Sequence, residues 1–102
     1  MTLADFKAVI LTADPNATHY RNGGTGNYTV WQEYAERPLY ADGARETVYR
    51  QIQVDRFTKT EYDPIVDAIR TALETAGIPY EYLNDYEDDT GYIHHIFDCT
   101  VT

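Results

Sequence analysis

The histidines and the single cysteine are the residues of this chain best suited to metal binding or nucleophilic catalysis. His94 and His95 are adjacent, and adjacent strand residues point to opposite faces, so both imidazoles cannot easily bind one ion. His19 lies far away in a polar segment. Cys99 stands four strand residues from His95, about 13 Å away, too far for the imidazole to activate the thiol. We therefore expect no metal site, an exposed His94, a partly buried His95 and a core Cys99.

The acidic and glycine-rich segments indicate no better site. The tract 85–89 lacks the central glycine and distal glutamate of a calcium loop, which favours a solvated hairpin turn. The glycines of 23–26 precede a strand and are not followed by Lys-Thr, unlike a phosphate-binding loop. The chain contains no serine, and no carboxylate pair is marked as confined in an apolar pocket. The sequence therefore predicts a protein that is not an enzyme and that needs no cofactor.

Length and charge narrow the class of protein further. The 102 residues predict one domain, 1–102, and the net charge is −9. The acid excess lies in residues 51–102, which carry three basic and eleven acidic side chains. Since nucleic-acid binding depends on Lys and Arg at phosphates, specific binding of DNA or RNA is disfavoured. No apolar run resembles a signal peptide or a membrane span, so we expect no membrane partner.

Local signals predict the elements that position these residues. A first helix follows Thr2, whose hydroxyl stands three residues before an acid, as in a capping box. A second, strongly amphipathic helix is capped by Thr60 or Asp63 and ends before Gly77. The strands are predicted at 28–34, 47–57, 79–87 and 92–101.

The resulting order, α-β-β-α-β-β, predicts an α+β fold. Its sheet has four strands, mainly antiparallel, with both helices packed on one face. The sequence leaves open whether the second and third strands run parallel. A broad polar loop over 35–46 connects the first two strands. Along the second strand, Ile52 and Val54 point one way, and Gln53 and Asp55 point the other.

Aromatic side chains are the main sign of a binding surface. The chain has ten tyrosines, a residue enriched where a surface is buried against a partner. If the helices cover one face, one alternate set of the first strand, containing either Tyr28 and Tyr34 or Trp31, lies on the other face with Tyr49 and Phe57. We expect these five residues to form a protein interface. The alternative is that strand twist and the loop between the first two strands cover them within the monomer.

Over its whole length the chain resembles the tail terminator proteins of tailed phages and prophages, which complete the tail and join it to the head. The resemblance rests on Tyr28-Thr-Val-Trp-Gln-Glu33, Gln51-Ile-Gln-Val-Asp-Arg-Phe-Thr-Lys59, Pro64-Ile-Val-Asp-Ala-Ile-Arg-Thr-Ala-Leu73, Gly77-Ile-Pro-Tyr80 and Gly91-Tyr-Ile-His-His-Ile-Phe97. It implies a structural protein that forms a hexameric ring on the last ring of the tail tube protein, stops tube growth and presents a surface to the head connector protein. The expected location is the virion and, during assembly, the bacterial host cytoplasm. This chain departs from the family in having no long insertion between its first two strands.

The charge pattern indicates a role for the acidic residues in the ring that the resemblance implies. Asp85, Glu87, Asp88 and Asp89 are expected to line the bore of the ring or to form a docking loop, because a carboxylate lining lets DNA pass with little adhesion. We expect 20–27 and 85–91 to become ordered only on docking. The alternatives are another head-tail connector or minor capsid protein and, from a different class, a small α+β enzyme or ligand-binding module. The last would show a concave pocket with convergent polar groups.

Overall fold

The elements of the fold are given by a computed structural model that describes residues 1–21, 26–41 and 44–102, with the backbone alone over 39–41 and 44–47. They are α1 (Leu3–Ala13), β1 (Thr18–His19), β2 (Tyr28–Ala41), β3 (Ala44–Thr58), α2 (Pro64–Thr75), β4 (Tyr80–Tyr86) and β5 (Ile93–Val101). The predicted α+β class is confirmed. The sheet has five strands within these residues, not four, because the two-residue β1 adds to its edge.

The sheet is mixed, with the strand order β1-β2-β3-β5-β4. The short β1 runs parallel to β2, and the other neighbours are antiparallel. The order of elements therefore gains a strand between α1 and β2. Because β5 lies between β3 and β4, the chain leaves β3, passes through α2 and returns in β4 parallel to β3 without pairing with it. This answers the question of strand direction that the sequence left open.

The helix ends follow the predicted capping signals. The Thr2 hydroxyl accepts a hydrogen bond from the Asp5 N–H, and the Asp5 carboxylate accepts one from the Thr2 N–H, which completes the capping box. Asp63, not Thr60, caps α2 and accepts from the Ile65 N–H at 2.9 Å. Gly77 then ends α2 with φ +70°, a conformation that a residue with a Cβ adopts only at a cost.

The core lies between one face of the sheet and both helices, as predicted. It contains Phe6 and Ile10 from α1, Ile69 and Leu73 from α2, and Trp31, Ile52, Val54, Phe97, Cys99 and Val101 from the sheet. Cys99 is fully buried, which confirms its predicted place in the core.

Trp31 is a correction to the expected binding surface. It belongs to the face that the helices cover and is only 2% exposed. Its ring fills the space beneath α1, with its centroid 5.3 Å from that of Phe6. The predicted first strand corresponds to β2. Of its two alternate sets of residues, the one with Tyr28 and Tyr34 therefore lies on the other face. Trp31 is not available to a partner on that face.

The predicted loop over 35–46 is also wrong. β2 and β3 stay paired from Tyr28↔Phe57 as far as Ala41↔Ala44, with register shifts after Glu33 and Leu39. The prediction of a loop rests on Pro38 and on the turn signal Ala41-Asp42-Gly43, which interrupt the strand pattern. An edge strand tolerates a proline, so the pairing continues past Pro38. We call 36–50 the arm, because β5 accompanies β3 only as far as Arg50↔Val101. Part of the turn signal, 42–43, lies outside the described residues.

No helix in the described ranges is long and apolar enough to cross a bilayer.

Candidate protein interface

The face of the sheet opposite the helices has no covering layer among the described residues. We call it the open face. Its members alternate with the core residues along β2, β3, β5 and β4, as the register requires. The predicted separation of Gln53 and Asp55 from Ile52 and Val54 is confirmed, and Phe57 lies on this face as predicted. Its central side chains are Tyr28, Val30, Gln53, Asp55, Phe57, His94, Ile96 and Asp98.

An aromatic row crosses one end of the open face. Tyr28, Phe57 and His94 stand in register on three adjacent strands. Their rings stack side by side, with centroids 4.9 Å apart for Tyr28 and Phe57 and 4.1 Å apart for Phe57 and His94. Tyr92 meets both Tyr28 and Phe57 edge-on at 6.0 Å. Because Phe57 lies between the other two rings, its faces are not available for stacking on a sugar or a base.

Asp55 anchors the middle of the open face. Its side chain is mostly buried and accepts hydrogen bonds from Gln53 Nε2 at 2.8 Å and from His94 Nε2 at 2.9 Å. His94 is only 19% exposed at its side chain, so the prediction of an exposed His94 is wrong. The reason is that the imidazole both stacks on Phe57 and pairs with Asp55. The polar groups at the centre of this face are therefore satisfied within the chain.

The open face continues toward the arm through Tyr34 and Tyr49. Tyr34 is 46% exposed and donates its hydroxyl proton to Asp98 Oδ1 at 2.8 Å. This hydrogen bond raises the pKa of Tyr34. Tyr49 lies on the arm opposite Arg37 and is half-buried. A polar depression of about 390 Å³ lies at the root of the arm and is lined by Tyr34, Arg37, Gln51, Pro79, Tyr80, Glu81, Asp98 and Thr100.

The four predicted acidic residues lie together at the far end of the β4–β5 hairpin. Asp85 belongs to β4 and not to the loop, whereas Asp88 and Asp89 lie in the turn; all three are exposed. Glu87 is half-buried, and its backbone closes the turn by accepting from the Gly91 N–H at 2.8 Å. The turn is thus hydrogen-bonded within the chain. Of the segment 20–27, which was also expected to become ordered on docking, residues 22–25 lie outside the described part.

His19 has a role that the sequence did not suggest. It lies in β1, between the rings of Tyr20 at 4.1 Å and Trp31 at 3.9 Å. Its Nε2 donates to Glu33 Oε2 at 2.7 Å, and the Tyr20 hydroxyl donates to the same carboxylate. Burial opposes ionisation of Glu33, but these hydrogen bonds prevail and lower its pKa. A two-residue strand has no periodicity, so no sequence signal could have found this contact.

The other two groups singled out for their chemistry give no catalytic arrangement. Burial raises the pKa of Cys99 to about 12, so the thiol is protonated and unreactive. His95 lies on the opposite face from His94, as predicted, and is half-buried. Across the described residues, no three metal-ligating side chains form a group that could hold an ion.

His95 does line a depression of about 350 Å³ between α2 and β4. The Tyr82 hydroxyl donates to His95 Nδ1 at 2.6 Å, and burial lowers the pKa of His95. Arg70 lies 4.9 Å above the Tyr82 ring and pairs with Asp67 at 2.9 Å. These polar groups contact one another instead of converging on an empty centre, so the depression is a weak candidate for a ligand site.

Comparison of the chain with protein-family models gives no match, and comparison with curated proteins gives none either.

Proposed function

We propose that this chain is a structural protein of tailed phages or prophages, which caps the tail tube as a hexameric ring and joins it to the head connector protein. The observation that carries the proposal is the open face. A lone two-layer domain usually turns a mostly polar sheet surface toward water, whereas this one carries a row of half-buried aromatic rings there. Burial against another protein chain is the physical use of such a surface.

The composition of the open face supports a protein partner. Val30 and Ile96 flank Asp55 in register, and the aromatic row lies beside them. Apolar and aromatic side chains mixed with polar groups that are already hydrogen-bonded within the chain are compatible with burial against another protein. With Trp31 in the core, the interface consists of Tyr28, Tyr34, Tyr49 and Phe57.

The charge of the chain supports a place next to passing DNA. The exposed carboxylates of Asp85, Asp88 and Asp89 project at one end of the sheet. A ring that turns these ends toward its bore gives a lining that repels phosphates, so that DNA moves through without binding. The phage role itself rests on the resemblance of the whole chain to tail terminators.

The test is to mix the purified protein with tail tubes and to image the tube ends by negative-stain electron microscopy. Capped tube ends and halted tube growth are expected. Phe57→Arg should abolish capping, because it places a charge in the centre of the aromatic row. Tyr62→Arg is the matched control, since Tyr62 is 92% exposed and lies outside the open face. Capping by both variants, or by neither, would contradict the proposed surface, and absence of capping by the unaltered chain would contradict the function.

A small-ligand or enzymatic role is the second candidate; the concave shape of the depression beside His95 favours it, whereas the contacts among its polar groups do not. Its test is whether small molecules shift the amide resonances of Tyr82 and Arg70. If such shifts occur and saturate while tube ends stay uncapped, this second function replaces the first.

A further inference from the structure

The arm leaves the sheet as a two-stranded ribbon with unpaired backbone. β5 stops pairing with β3 at Arg50, and no described strand continues along that side of β3 over 44–49. The ribbon extends roughly 20 Å past this point. A two-stranded hairpin is only marginally stable in water by itself, so a third strand would stabilise the arm.

The two sides of the arm are not equivalent. On the β2 side, Pro38 lacks a backbone N–H, and a proline stands in a paired strand only where its nitrogen faces away from the partner. The outer side of β2 therefore lacks a donor at Pro38, a feature that blocks the addition of a strand. The β3 side, 44–49, contains no proline and is the side that can accept one.

The sheet has a second unpaired side at β4. This seven-residue strand is the last in the order β1-β2-β3-β5-β4, and its length is comparable to that of 44–49. Leu83 on β4 is 59% exposed, and Tyr86 is 58% exposed. Apolar side chains on an unpaired edge strand favour pairing with another strand.

Charge selects which unpaired sides can meet. Residues 80–89 contain five acidic and no basic side chains, so two β4 edges from different copies repel each other. The arm contains three of the eight Lys and Arg residues and equal numbers of both signs. An acidic edge therefore meets the arm more favourably than it meets a second acidic edge.

We propose that the partner of the arm is a second copy of this chain, with the β3 side of the arm (44–49) of one copy pairing with β4 of the next. The contact is heterologous, because the two surfaces differ, so it propagates from copy to copy and closes into a ring or continues as a filament. This inference rests on the proposed function to the extent that it supplies the contact between neighbouring copies of the ring.

Cross-linking between two single-substituted variants tests the contact. Tyr49→Cys on the arm is mixed with Leu83→Cys on β4, and a short bismaleimide is added to the full-length proteins. The native Cys99 is buried and does not compete. The control replaces the β4 variant with Thr75→Cys, an exposed position on α2. We expect the mixed arm–β4 product to exceed the arm–α2 product by about tenfold. Val48→Cys, on the other side of the ribbon, serves as a second arm variant.

The outcomes separate this inference from the proposed function. Association of copies without any arm–β4 product overturns the inference and leaves tube capping possible through another contact. An arm–β4 product without tube capping supports the inference and overturns the proposed function. Failure of the copies to associate, both free and at tube ends, overturns both.

A charge-reversal pair gives a second measurement. Glu81→Arg should weaken self-association several-fold, because it places a cation on the edge that meets the arginine-bearing arm. Adding Arg45→Glu, on the 44–49 side of the arm, to the same chain should restore it. Glu81 is exposed, so its replacement should not unfold the protein. Equal association of the single and double variants would contradict the proposed pairing.

Discussion

Arg56 Nη2 lies 3.0 Å from Asp63 Oδ2, and this buried ion pair ties β3 to the first turn of α2. The same guanidinium reaches Asp14, just past the end of α1, at 3.3 Å and the Thr29 hydroxyl at 3.2 Å. Burial by itself would raise the pKa of Asp63, but hydrogen bonds from Ile65, Thr58 and Arg56 lower it instead. One cation thus fixes both helices over the sheet.

Replacing this arginine should be costly. Arg56→Ala leaves two buried carboxylates without their cation, and we expect a loss of about 3–5 kcal/mol in the free energy of unfolding. Arg70→Ala is the control, because its pair with Asp67 is more exposed and is worth about 0–1 kcal/mol. Urea denaturation measures both values. Losses of similar size would show that the Arg56 pair does not organise the helices.

Substitutions of core and open-face aromatic residues should differ in their effects on stability and on tube capping. Trp31→Ala removes a buried ring and is expected to cost about 3–5 kcal/mol. Phe57→Ala removes a half-buried ring and should cost about 1–2 kcal/mol while preventing tube capping. Thermal unfolding and capping are measured on the same samples. A larger loss of stability for Phe57→Ala would mean that its row serves the monomer alone.

His95 should make the protein less stable in mild acid. Its folded pKa lies below the ordinary value of 6.5 because the ring is partly desolvated, so the unfolded chain takes up this proton first as the pH falls. The stability that the neutral His95 ring contributes to the folded state is complete above pH 6.5. It is lost progressively as the pH falls through the folded pKa. Unfolding midpoints are compared at pH 7.5 and 5.5 for the unaltered chain and for His95→Gln. The unaltered chain should show the larger decrease, and equal decreases would refute the assignment.

The Cys99 thiol should resist modification. Burial raises its pKa to about 12, so a thiol-specific reagent at pH 8 should react with the folded protein at least about a hundredfold more slowly than with the unfolded protein. The absorbance of the thiolate that the reagent releases reports both rates, measured with and without denaturant. Rapid reaction of the folded protein would indicate that β5 opens readily.

The sequence was sufficient for elements with strong local signals. The apolar stripe of α2, with Pro64 at its start and Gly77 after its end, predicted that helix. Alternation along β3 correctly separated Ile52 from Gln53. These predictions were possible because each residue's neighbours in sequence decide the outcome.

Other features depend on contacts between distant segments. Arg56 and Asp14 are 42 residues apart in the chain, and no sequence spacing predicts that they pair. The sequence alone does not assign Trp31 to a face, because the assignment depends on which face α1 covers. The arm differs from the predicted loop because Pro38 and the turn signal after it are typical of loops, whereas the position of Pro38 on an edge strand allows the pairing to continue.

The central claim is that the open face is buried against another protein in the assembled state. The most direct measurement is the rate at which maleimide labels Val30→Cys, at the middle of the open face, before and after the protein binds tail tubes. Thr71→Cys, on the exposed surface of α2, is the control. We expect labelling of Val30→Cys to be at least about tenfold slower on the tubes, with little change for Thr71→Cys. Unchanged labelling of Val30→Cys on capped tubes would contradict it.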